Sequence, residues 1–284
     1  GGSNDGTDWP NAFNDLQDAL LVSDYGDTIW VAAGTYFPTS FTNRHFYFNL
    51  KNGVSMFGGF IVNEVKLNQM DWTINQTILS GDIGVQGDST DNCYTVVNCS
   101  FVDSTTIFDG FTVTGGNADS QGQFEPATGR TKSGGGIYII GTTTLQESRP
   151  FIVNCTLLRN YARYYGGAIY CRSNSSGSVS PIIKDCFFYQ NMAGSGASIY
   201  LGGTGLQNIT TFENCSFVGN IANFGGGIYC QNDFGNEDII INRCTFFNNI
   251  CNLDGGGFSI ENSNSFSNLT ISHSNFFENS AGGE

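Results

Sequence analysis

Carboxylates, histidines and cysteines are the side chains in this sequence that could do chemistry, and their spacing limits what that chemistry can be. Acids gather in what read as loops, at Asp82, Asp88 and Asp91 within Gly81–Asn92 and again at Glu237-Asp238. Several carboxylates in one place could hold calcium, and a nearby Arg or Lys to take a proton would complete a lyase site. A hydrolase would instead need two carboxylates roughly 5–10 Å apart. Residues that recur about thirty apart read Val153, Lys184, Glu213, Asn242 and Ser272 in one column, and Asn154, Asp185, Asn214, Arg243 and His273 in the next. A third column reads Arg159, Gln190, Gly219, Asn248 and Glu278. None places two carboxylates in successive repeats. Lys184 before Glu213 reads as a surface ion pair, which contributes little. His45 and His273 stand far from each other in sequence and show no Ser or Cys partner for a triad, which argues against a hydrolytic triad and against a metal site. The acids at Asp82, Asp88 and Asp91 read as solvated loop acids, with calcium binding as the alternative.

Nine cysteines carry the next signal. Cys155, Cys186, Cys215 and Cys244 share one column, where a buried Cys behaves as a small hydrophobe. Free thiols are the preferred reading. Disulfides between successive repeats stay open, because a strand spacing of about 4.8 Å lies within the Cα range of a bridge. Cys171 and Cys230 share another column but are separated by Leu201, and no Cys-x-x-Cys occurs. Seven Asn-x-Ser/Thr sequons stand at Asn75, Asn98, Asn154, Asn174, Asn208, Asn214 and Asn268. A chain this rich in Asn, Ser and Thr would give about five or six by chance, so they permit glycosylation without requiring it. Asn174, Asn208 and Asn268 are expected to be exposed, and Asn154 and Asn214 to be engaged by neighbours.

The element that positions all of these is a repeat. Gly134-Gly-Gly-Ile-Tyr138 returns as Gly166-Gly-Ala-Ile-Tyr170, Gly196-Ala-Ser-Ile-Tyr200, Gly225-Gly-Gly-Ile-Tyr229 and Gly255-Gly-Gly-Phe-Ser259, at steps of 32, 30, 29 and 30 residues. A fixed period of this size means a solenoid whose units bury their apolar faces on one another. Leu157, Phe188, Phe217, Phe246 and Phe276 lie two residues after the Cys column and should point inward with it. Ile152, Ile183, Phe212, Ile241 and Ile271 lie three before it, an odd spacing that demands a turn between them. Asn160, Asn191, Asn220, Asn249 and Asn279 form a further column, able to hydrogen-bond along the stack. Small residues such as Ala162, Ala193 and Ala222 follow it, where the wall is expected to bend. The pattern predicts an all-β parallel β-helix of one domain over residues 1–284, with about three strands per coil. Residues 1–25 read as an arm and a short capping helix within Asn11–Val22, 26–133 as irregular coils and 134–284 as regular ones.

Composition excludes several partners. A net charge of −14 with only 11 basic residues opposes nucleic acid and anionic membrane surfaces, and disfavours anionic polysaccharides unless a metal mediates. No apolar run is long enough for a membrane span. No cofactor is expected. The chain opens on Gly1 rather than Met, which reads as a processed or trimmed product.

Phe188-Tyr-Gln-Asn191, Phe217-Val-Gly-Asn220, Phe246-Phe-Asn-Asn249 and Phe276-Phe-Glu-Asn279 repeat a Phe-x-x-Asn motif that alternates with Gly-Gly-Ala-Ile at 166–169 and its variants. The pair resembles the repeats of polymorphic outer-membrane proteins and related β-helix surface proteins, and Gly26-Asp-Thr-Ile-Trp-Val31 with Gly34-Thr-Tyr36 resembles the entry coils of pectate-lyase-like helices. The resemblance covers most of the chain and implies a right-handed single-stranded β-helix at the cell surface or outside the cell, often in adhesion. The carboxy-terminal membrane barrel of the autotransporter members has no counterpart in this sequence.

The leading expectation is a non-enzymatic structural protein; a carbohydrate-active β-helix enzyme and a glycan- or protein-binding adhesin are the alternatives. Strand alternation turns Tyr138, Tyr170, Tyr200 and Tyr229 outward, as a contact surface or as cross-strand support. Leu158, Tyr189, Val218, Phe247 and Phe277 read as a second outward column. The last repeat runs through Ala281 to Gly282-Gly283-Glu284 without a polar cap, leaving Ile271, Phe276 and Phe277 as an assembly end. Either the chain continues or a neighbouring subunit completes the coil, and the expectation is a head-to-tail homopolymer with Gly1–Pro10 as the docking segment.

Overall fold

The computed structural model describes residues 2–122, 126–144, 146–205, 207–232, 235–262 and 267–282. Gly283 and Glu284 lie outside them. The chain is a parallel β-solenoid of about eight coils whose walls are four sheets. The first runs from Thr28–Ala32 to Ser267–Ser272, the second from Gly34–Tyr36 to Asn275–Phe277, the third from Phe48–Asn49 to Phe258–Asn262, and the fourth from Asn117–Ala118 to Ser280–Ala281. Every pairing between named strands is parallel and joins one coil to the next.

The columns read from the sequence are the registers observed. Ile137, Ile169, Ile199, Ile228 and Phe258 pair in series, as do Leu157, Phe188, Phe217, Phe246 and Phe276. Stacking is possible because successive strands lie within aromatic contact distance. Phe188, Phe217, Phe246 and Phe276 stack with ring centroids 4.7, 4.4 and 4.4 Å apart, filling a dry interior with the Ile columns. The turn demanded between the Ile and Cys columns is a single left-handed residue in each regular coil: Asn154, Asp185, Asn214, Arg243 and His273 have φ between 50 and 56°. A third bend falls on glycine. At Gly196 φ is +61°, and a Cβ would sit 2.3 Å from the Ile199 carbonyl oxygen, so this corner admits no side chain.

Regular coils contain four strands rather than three. The residues after the Asn column, expected to be a sharp bend, pair with the next coil as the fourth sheet, and Ala162 and Ala222 are buried in it. The small residues Ala118, Ala162 and Ala193 pack together there in a cluster of their own. The opening helix is shorter than its apolar spacing suggested. It spans Leu16–Val22, with the Asp15 carboxylate accepting from Gln17 N as N-cap, and Leu16, Ala19 and Leu20 cover the first coil. The arm before it is already docked. Trp9 packs on Trp30 and Phe60 at 6.3 and 5.6 Å and donates Nε1–H to Glu64 O at 3.0 Å. Its main aromatic side chain is therefore packed on its own coil.

Candidate functional site

The loop acids are occupied by their own turns. The Asp82 carboxylate accepts from Gly87 N at 3.0 and 3.1 Å, and Asp91 Oδ2 from Val85 N at 2.8 Å. Asp88 accepts from the Thr90 hydroxyl at 2.7 Å and from Thr90 N at 2.9 Å, and the hydroxyl bond holds its carboxyl below the usual range. Among the described residues no three His, Cys, Asp or Glu side chains converge as a metal site would require. His45 meets Tyr94 edge-on at 5.1 Å, and His273 is a corner residue on the opposite end of the solenoid. Lys184 and Glu213 form the expected part-exposed ion pair at 3.3 Å.

Glu237 and Asp238 are not a loop pair. They lie in the strand Asn236–Asn242, whose alternation sends Glu237 into the interior and Asp238 outward. Glu237 is buried, its Oε1 accepts from the Thr210 hydroxyl at 2.9 Å, and burial pushes its carboxyl up to about 8. Asp238 accepts from Asn268 Nδ2 at 2.6 Å. A polar pocket continues beside Glu237. Asn208 Nδ2 donates to Ser173 Oγ at 3.0 Å and Asn208 Oδ1 accepts from Val179 N at 2.8 Å.

That pocket overturns one glycosylation expectation. Asn208 does not precede a strand; it faces inward within Gln207–Glu213 and is buried, so its amide is out of reach of a modifying enzyme in the folded chain. Asn154 donates to Asp109 Oδ1 at 2.8 Å and Asn214 to Asp185 Oδ1 at 2.6 Å, the engagement expected of turn-column amides. Asn98 donates to Asn49 Oδ1 at 2.7 Å, and Asn75 to Gly59 O at 3.3 Å. Asn174 is half-buried and accepts from Arg172 Nε at 3.2 Å, whereas Asn214 and Asn268 are exposed.

The tyrosine contact surface is corrected as well. Tyr138, Tyr170, Tyr200 and Tyr229 do point away from the lumen, but they are buried in a second, smaller core. Tyr138, Tyr170 and Tyr200 stack in turn at 5.1 and 5.3 Å. Residues just before the glycine bend fold over them: Tyr165 lies 4.5 Å from Tyr200 and Phe224 lies 5.9 Å from Tyr229. Three of the four hydroxyls are used too, with Tyr138 donating to Thr128 O at 2.8 Å, Tyr200 to Gln231 Oε1 at 3.1 Å and Tyr229 to Glu261, while the Tyr170 hydroxyl is buried without a partner among the described residues. The exposed apolar column lies elsewhere, at Tyr161, Met192, Ile221 and Ile250 of the fourth sheet. Reading their neighbours as a bend hid it.

All nine cysteines are buried and unpaired. In the column, Cys155 Sγ donates to Val153 O at 3.1 Å and Cys186 Sγ to Lys184 O at 3.2 Å. Burial pushes the Cys186 thiol well above its ordinary range, which makes Cys186 a poor nucleophile.

Residues 214–231 match the Chlamydia polymorphic membrane protein repeat. They contain Cys215, Phe217, Asn220 and Gly225-Gly-Gly-Ile-Tyr229, members of the Cys, Phe, Asn and Gly-Gly-x-Ile-Tyr columns described above. No curated protein and no solved structure matches the chain. No helix among the described residues is long and apolar enough to cross a membrane. The chain is a parallel β-solenoid with a repeat of the Chlamydia polymorphic membrane protein type, and that repeat points to a surface or outer-membrane protein.

Proposed function

We propose that this chain is a non-enzymatic structural unit of an extracellular surface, a scaffold that associates end to end with its own kind. The observation that carries the reading is the use made of its polar groups. Acids cap their own turns, asparagines bond along the stack and thiols line the wall, so the side chains that could do chemistry are spent on holding coils together. The end-to-end contact is supported by the coil that contains Ser267–Ser272 and Asn275–Phe277. Ile271, Phe276 and Phe277 are 45, 42 and 47 % exposed there, while Ile241 and Phe246, their counterparts one coil earlier, are fully buried. Phe276 stacks on Phe246 with one face and offers the other. A second copy would bring its opening coil, where Leu21 and Val22 of the helix are exposed. Such a heterologous contact does not close, and propagates as a filament.

Sedimentation and electron microscopy of the chain, with Ile271→Asp as comparison, test this. Concentration-dependent linear assemblies that Ile271→Asp abolishes, without loss of the β-sheet spectrum, are expected. A chain that stays monomeric, or assembles equally well with Asp at 271, contradicts the reading.

A further inference from the structure

A groove runs along the outside of the solenoid at the corner between the second and fourth sheets. Each regular coil turns there on one left-handed residue, Arg159, Gln190, Gly219, Asn248 or Glu278, with φ between 52 and 63°. On one flank lies the half-buried column that includes Tyr189, Val218 and Phe247. On the other, Tyr161, Met192, Ile221 and Ile250 are 37, 46, 38 and 37 % exposed. Between the flanks the floor is open at Gly219, where an added Cβ would meet only Gln190 Cγ, at 3.8 Å. Contiguous exposed apolar strips of this kind usually have a partner.

The corner column says which partner. It carries a cation at Arg159, amides at Gln190 and Asn248, a glycine at the centre and a carboxylate at Glu278. Read backwards, every polar group meets its complement. With coils about 4.8 Å apart, Arg159 and Glu278 each lie two coils, or about 10 Å, from Gly219. Arg159 donates Nε–H to Gln190 Oε1 at 3.3 Å, and neither Arg159 nor Glu278 is in an ion pair with a described residue. In a chain of net charge −14 most faces repel a second copy, whereas this column is formally neutral and self-complementary.

We propose that the groove is an isologous interface in which a second copy of this chain docks antiparallel, on a two-fold axis that passes Gly219. Arg159 then faces Glu278 of the partner subunit, and by symmetry the pair forms twice. Gln190 faces Asn248 of the partner subunit, Tyr189 faces Phe247 of the partner subunit, and Ile221 packs on its own equivalent. A parallel arrangement would set Arg159 on Arg159 and Glu278 on Glu278, and like charges across an interface select against it. This contact is lateral. It differs from the end-to-end contact proposed above in that it runs along four coils from Arg159, sharing with that contact only the last coil, where Glu278 follows Phe277.

Sedimentation velocity over a concentration series tests the proposal, carried out on the Ile271→Asp background so that only lateral pairing is read. The parent should form a dimer. Arg159→Glu and Glu278→Arg should each weaken it by about tenfold or more, since each sets two like-charge contacts. The double variant restores both ion pairs with their signs exchanged, and should recover the parent's dimerisation. A parent that remains monomeric throughout, or a double variant as weak as the single ones, overturns the proposal.

Discussion

Asn220→Asp is expected to destabilise the solenoid by about 4 kcal/mol, whereas the same change one residue from the next column member, Asn248→Asp, should stay within about 0.5 kcal/mol. Asn220 is fully buried and uses all of its hydrogen-bonding capacity. Its Oδ1 accepts from Asn191 N at 2.9 Å and Asn191 Nδ2 at 3.1 Å, and its Nδ2 donates to Phe188 O at 3.1 Å and Asn249 Oδ1 at 2.9 Å. Asp keeps the acceptor and turns the donor into a second oxygen. Two hydrogen bonds become oxygen–oxygen contacts in a dry interior, and each buried group left without a partner costs about 1–3 kcal/mol. Asn248 sits at the exposed corner, where water replaces whatever the amide loses. Urea midpoints of the two variants, with amide exchange across the affected coils, make the comparison. Equal losses would mean that the Asn column is not what joins the coils.

Glu237→Gln should stabilise the chain at pH 8 by on the order of 4 kcal/mol and flatten its dependence on pH. Burial raises the folded carboxyl to about 8 against an ordinary value of 4.5, while the Thr210 hydroxyl bond pulls the other way. Asn208 and the thiols of Cys171 and Cys230 are other polar or ionisable groups around it, and Asp238 acts on it from the outer face of the strand. Because the folded state holds this proton longer than the unfolded one, stability from Glu237 is complete below about 4.5 and falls as pH rises towards 8. The slope is at most about 1.4 kcal/mol per pH unit. Gln is neutral throughout and can still accept from Thr210. Urea midpoints between pH 4 and 9 read the difference. Parallel curves for the parent and the variant would mean that the carboxyl ionises without cost.

Much of the wall was legible because stacked strands force like residues into register. The broken alternation between Ile152 and Cys155 located a turn, and Asn154 supplies it with a left-handed φ of 52°. What was missed followed from contacts between elements. Alternation told that Tyr200 leaves the lumen, but not that Tyr165, from the fourth-sheet strand one coil earlier, would close over it. For Asn208 and Glu237 the signal was present and overlooked. Counting back by twos from Phe212 reaches Thr210 and Asn208, and from Ile241 reaches Ile239 and Glu237, all buried. Sequon and acid-pair motifs drew attention to chemistry at positions that the strand period assigns to the core. The fourth sheet was hidden by Ala162 and its equivalents, whose small size suits a bend as well as a tight strand.

The central claim is that these side chains serve the wall and not a reaction. The direct test incubates the purified chain with neutral and acidic polysaccharides, with and without added calcium, and follows reducing ends and unsaturated products. The account predicts no turnover above buffer on any substrate. Turnover that disappears when Asp82, Asp88 and Asp91 are replaced by Asn, with the fold intact, would contradict it and assign the chain to the carbohydrate-active enzymes.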